Sequence, residues 1–155
     1  MMRARRKTSG PDLLTWQDRK RSRRGYIELL GVPSEQEWHI QLVREIRELR
    51  LLSSGWSFTH FPAGGERTAK SGAIMKAMGL ERGWPDLIFL RPPTPELSVG
   101  LPHGLELKRL GETTSDDQDR IAARFQSFGW PYAVADNIGT AVDVLRDWGA
   151  LRIVS

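Results

Sequence analysis

Two helix-start signatures bracket two short apolar runs, and that arrangement limits the fold of this chain more than any other feature. Ser34 with Glu37, and Ser115 with Gln118, each make an S-x-x-E/Q capping box. Trp38, Leu42, Ile46 and Leu49 follow the first at helical spacing, with Val43 beside them, and Ile121, Ala122, Phe125 and Phe128 follow the second. Between them lie Asp86–Arg91, a strand of fully buried type built on the apolar run Leu87-Ile88-Phe89-Leu90, and the strand 104–109, in which Leu105-Glu106-Leu107-Lys108 alternates. Helices at both ends of a set of strands predict an α/β fold, a mixed central sheet flanked by helices.

The remaining elements follow from local signals. Trp56 to Phe61 reads as a strand, Lys70 to Met78 as a short helix closed by Gly79, and Tyr132–Asp136 as a strand. Ala141–Trp148 reads as a helix and Leu151–Val154 as a last short strand. Pro92, Pro93, Pro95 and Pro102 place 92–102 in a loop, because proline cannot donate to a ladder. A further helix is expected over 12–31, ended by Gly31 and Pro33.

Charge divides the 155 residues unevenly. Residues 1–24 hold nine Lys/Arg against Asp12 and Asp18, a balance of +7. The rest hold fourteen against seventeen, a balance of −3. Residues 1–33 therefore read as a basic arm with a possible helix, and 34–155 as the main domain. Arg3, Arg5, Arg6, Lys7, Arg19, Lys20, Arg21, Arg23 and Arg24 suit contact with nucleic-acid phosphates; a solvated tail is the alternative. There is no cysteine, which excludes disulfides, thiolate metal sites and cysteine nucleophiles and fits an intracellular setting. No apolar run approaches the ~20 residues of a membrane span, and no membrane partner is expected.

Chemistry concentrates at the paired strands. Residues two apart on a strand share a face, so Glu106 and Lys108 project together while Leu105 and Leu107 enter a core. Asp86 opens the neighbouring strand. Two carboxylates and an ammonium suit a hard divalent cation beside a water or a phosphate oxygen, the requirements of phosphodiester hydrolysis. A salt bridge from Lys108 to Asp86 or Glu106 would explain the same residues. Arg67 and Lys70, which follow a glycine loop into a helix N-terminus, are candidates for phosphate contact, and His60 ends a strand beside that loop. His39, His60 and His103 lack zinc-site spacing. Gly64 to Ser71 nearly matches a phosphate loop, but Ala69 replaces the second glycine. Trp84, beside Asp86, could stack on an unpaired base.

Gly83-Trp84-Pro85-Asp86-Leu87, Gly104-Leu105-Glu106-Leu107-Lys108 and Ser115-Asp116-Asp117-Gln118 together resemble the VRR-NUC group of PD-(D/E)XK nucleases. The likeness reaches back through Gly79, Lys76, Arg67 and His60 to Gln41 and Glu37, and forward through Gly129 and Tyr132-Ala133-Val134. It covers roughly 35–148 and leaves 1–33 outside. Trp84 departs from the pattern, which has a small apolar residue there.

The resemblance implies a restriction-endonuclease-like core and a divalent-metal-dependent endonuclease that is structure-selective on branched DNA, junctions or flaps. It implies Mg²⁺ or Mn²⁺ held by Asp86, Glu106 and the Leu107 carbonyl, with Glu37 approaching from its helix. Lys108 would orient water or stabilise charge, and Gln118 would position Lys108 or the water. It also implies a homodimer working in bacterial or phage-infected cytosol. The alternatives are a DNA-binding module on a nuclease fold that no longer cuts, and a phosphate-loop NTPase.

Overall fold

The capping signals resolve into real helix starts in a computed structural model, which describes residues 33–61 and 68–152. Ser34 caps α1 (Glu35–Glu48), and Trp38, Leu42 and Ile46 form its buried stripe. Strand β1 (Ser57–His60) follows, then α2 (Ala69–Ala77), capped by Thr68, with no residue buried. Strands β2 (Leu87–Arg91) and β3 (Leu101–Leu107) come next, then α3 (Asp116–Ser127), capped by Ser115. Strand β4 (Tyr132–Ala135) and α4 (Ile138–Asp147) complete the order.

The four strands form one open mixed sheet in chain order. β1 and β2 pair antiparallel, as do β2 and β3, while β3 and β4 run parallel. Alternation assigns the two faces. Leu87, Phe89, Leu105 and Leu107 turn to one side and pack with Trp38, Leu42 and Ile46 of α1 and Ala141 and Leu145 of α4. Gly104 and Glu106 turn to the other, where α3 lies: a Cβ at Gly104 would come within 3.0 Å of Phe125 and 2.9 Å of both Pro85 and Tyr132. The mixed α/β arrangement expected from the sequence is therefore present.

Three boundaries differ from expectation. β3 begins at Leu101 and includes Pro102, which was expected in a loop. β4 starts pairing only at Gly104, so Pro102 lies beyond that ladder, where a missing N–H is tolerated. α4 starts at Ile138 rather than Ala141, because the Asn137 side chain accepts from Thr140 N–H and caps it. The expected last strand is reduced, among the described residues, to a bridge between Leu151 and Leu52. The expected helix over 12–31, the arm cations and Arg67 lie outside the described residues.

Candidate active site

The candidate centre assembles at the end of the sheet where β2 begins and β3 ends. Continuing the antiparallel register of Leu87 with Leu105 sets Asp86 opposite Glu106. Asp86 Oδ2 accepts the Leu107 N–H at 2.9 Å, so the carboxylate is tied to the strand that carries its partner. The Lys108 N–H donates to the Ala135 carbonyl at 2.8 Å, which prolongs the parallel ladder and fixes the lysine's main chain.

Glu106 is 1% exposed. Its Oε1 accepts from Lys108 Nζ at 2.8 Å and from Gln118 Nε2. Its Oε2 is buried with no partner among the described residues. Burial, reinforced by the Asp86 charge and opposed by Lys108, raises the Glu106 pKa to about 7. Burial works against the Lys108 ammonium, but the Glu106 carboxylate on it, with Glu35 and Asp86 nearby, overrides this and pushes its pKa up. The ion pair anticipated as an alternative reading is thus present, and it consumes only one of the two Glu106 oxygens.

Gln118 serves two partners at once. Its Oε1 accepts from Ser115 N–H at 2.9 Å to complete the capping box, while its Nε2 donates to Glu106. Glu37, expected near the metal, does not join this cluster. Its Oε2 accepts from Ser34 N–H at 2.7 Å, and that bond pulls its pKa down.

Glu35 is the acid of α1 whose charge is coupled to Asp86. It is half-buried, and burial followed by the Asp86 charge raises its pKa, with Lys108 opposing. One signal in the sequence points to it: Glu35, Trp38, Leu42 and Ile46 are spaced by three, four and four, so the buried stripe of α1 runs back to Glu35 and misses Glu37. Tyr132 is a second residue the motifs did not reveal. The parallel register sets it opposite Gly104, on the Glu106 face. Its hydroxyl is buried without a partner among the described residues, and burial with the Glu106 and Asp86 charges raises its pKa.

His60 supports the site from the main chain. Its Nδ1 lies 2.9 Å from the Asp86 carbonyl. A carbonyl only accepts, so Nδ1 carries the proton. The Phe61 N–H donates to the same oxygen at 2.9 Å. Lys70 is exposed on the first turn of α2. Ser71 Oγ donates to the Thr68 carbonyl at 3.0 Å, a bond within its own turn. Trp84 packs between Phe61 and Phe125, at 5.5 and 5.8 Å, and its Nε1 donates to Glu81, so its ring belongs to the aromatic layer under α3.

The loop before Asp86 is clamped to α3. Glu81 receives Arg120 at 2.6 Å and Arg124 at 2.9 Å. Gly83, at φ +89°, lies so close that a Cβ there would be 2.2 Å from the Asp117 carbonyl.

A hard cation suits this donor set chemically. Two carboxylates share one end of the sheet, one of them with a buried, unpartnered oxygen, and such an oxygen is costly unless a proton or cation meets it. Among the described residues no group of three or more His, Cys, Asp or Glu side chains surrounds one point, so main-chain oxygen and water would complete the shell. No protein-family model, curated protein or solved structure matches the chain. Among the described residues no helix is long and apolar enough to cross a membrane.

Proposed function

We propose that this chain is a Mg²⁺- or Mn²⁺-dependent nuclease of the PD-(D/E)XK type that hydrolyses DNA phosphodiester bonds, with branched or flapped DNA as its substrate and a homodimer as its working form. The observation that carries the reading is Glu106: a buried carboxylate with one oxygen held by Lys108 and Gln118 and the other without a partner, facing a second carboxylate across the ladder.

In this reading Asp86 and Glu106 hold the cation, with the Leu107 main chain beside them and Glu35 reaching the same charge field. When bound, the ion supplies a more acidic water and polarises the phosphoryl oxygen. The chain's own groups do the rest. The Leu107 N–H keeps Asp86 oriented, and Gln118 keeps Glu106 from rotating. Lys108 brings a positive charge to the place where an incoming phosphate would develop negative charge. The basic arm adds backbone grip without reading sequence.

The test is Asp86→Asn. Cleavage of a labelled panel of four-way junction, flap, single-stranded and duplex DNAs should be abolished, with DNA binding and folding retained. The wild type should gain thermal stability on adding Mn²⁺, and Asp86→Asn should not. A folded wild type that binds DNA but cuts none of the panel with either cation would favour the non-cleaving module. Loss of binding equal to the loss of cleavage in folded Asp86→Asn would also count against the proposal.

A further inference from the structure

An open groove of about 690 Å³ runs along α1 beside β1. Ile40 and Val43 are its apolar lining, and Arg44, Arg47 and Glu48, two cations to one anion, line it with the rings of His39 and His60. Ile40 is 61% exposed and stands beside two arginines, an apolar surface next to cations. β1 stands at the edge of the sheet, so among the described residues no further strand closes that side.

The groove begins where the candidate centre ends. His60, at its head, donates Nδ1–H to the Asp86 carbonyl, and its ring meets His39 edge-on at 5.0 Å. Arg47, further along, lies 5.6 Å over the Phe58 ring, which steadies its guanidinium. Arg44 holds Glu48 at 3.0 Å in an exposed pair that a phosphate could displace. Flat rings and an apolar floor interleaved with cations are what a single strand needs: bases lie on the first and phosphates meet the second.

We propose that this groove holds single-stranded nucleic acid and guides one strand to or from the Asp86 centre. The inference rests on the nuclease reading for its purpose, and on the groove alone for its binding. Charge selects the occupant. The chain's own arm carries nine cations against two carboxylates over residues 1–24 and would meet a groove whose two arginines outweigh one glutamate, a net charge of like sign. A strand of phosphates meets them with opposite sign.

The experiment uses the full chain in chelator, so that binding is read without cleavage. Anisotropy of a short labelled oligo-dT is measured for wild type, for Ile40→Glu/Arg47→Glu, and for the milder Arg47→Gln, each first checked for a native melting transition. The double variant should lose about tenfold or more in single-strand affinity, with a shallower salt dependence and a smaller loss for duplex. Arg47→Gln should lose less, in the same direction.

Wild-type affinity in both variants overturns the proposal. So does an equal loss for duplex and single strand. A wild-type dimer that Ile40→Glu/Arg47→Glu converts to monomer assigns the groove to a second copy and overturns it as well. Outcomes for the two proposals separate: cleavage with unaltered groove variants removes the groove alone, and a single-strand defect in a protein that never cuts removes the nuclease alone.

Discussion

The starts of α1 and α3 carry the same motif and use it differently. Each opens with serine followed three residues later by Glu or Gln, and each forms a complete capping box. In α3 the third residue also reaches the site, because an amide accepts with its oxygen and donates with its nitrogen. In α1 the third residue is a carboxylate, whose Oε2 accepts from Ser34 N–H and which has no N–H to donate onward as Gln118 does. The acid there that feels the Asp86 charge is the first of the helix, Glu35, which continues the buried stripe. The lesson is about direction: the residue one turn before the first buried apolar side chain is half-buried. That residue is Gln118 before Ile121 and Glu35 before Trp38.

The sharpest way to break this comparison is Gln118→Glu, which keeps the cap acceptor but removes the donor and sets a carboxylate against buried Glu106. Urea denaturation in chelator at pH 8 should show a loss on the order of 3 kcal/mol. At pH 5 most of that loss should vanish, since Glu106 there holds its proton. An equal loss at both values would show that charge repulsion is not its cause.

The Glu106 shift itself predicts a pH dependence. Its pKa is raised on folding from 4.5 to about 7. Between those values the folded protein holds a proton that the unfolded chain has released, so stability falls as pH rises through that window. The change for the metal-free protein is on the order of 3 kcal/mol, and Glu106→Gln should flatten it. A wild-type stability independent of pH between 5 and 8 in chelator would contradict the assignment. Bound Mg²⁺ or Mn²⁺ should reduce the slope, because a cation replaces the proton.

Glu35→Gln and Glu37→Gln separate the two acids of α1. Calorimetric titration with Mn²⁺ should show affinity weakened roughly 10–100-fold by the first and hardly at all by the second. The reverse result would restore Glu37 to the site. The smallest effects belong to the caps. Ser34→Ala and Ser115→Ala should each cost about 1 kcal/mol of stability. Neither should release the Gln118 side chain, whose Oε1 accepts from the main-chain N–H of residue 115 that alanine retains, so cleavage by Ser115→Ala should stay near wild type.

Much of this was legible from periodicity. The two-residue repeat of Leu105-Glu106-Leu107-Lys108 set the acid and amine on one face, and the structure pairs them at 2.8 Å. Gln118 was legible for the same reason, since it precedes Ile121 by three. Glu37 reads two ways because a capping glutamate and a site glutamate look alike in a sequence; the structure shows it completing the cap. Tyr132 was hidden because its placement opposite Gly104 depends on a parallel pairing across some thirty positions, and no local pattern encodes that register. α2 was found by its ends rather than by amphipathicity, as befits a helix that buries none of its residues.

Gly83 carries a consequence for how this centre can vary. Any side chain there would strike the Asp117 carbonyl, one residue before Gln118, and would also strain a backbone at φ +89°. The turn that delivers Asp86 and the helix that delivers Gln118 are thereby mated surface to surface, with no room for even a methyl between them. A change that shifts one must carry the other along, so the acid and the amide that steadies its neighbour are inherited as a single mechanical part.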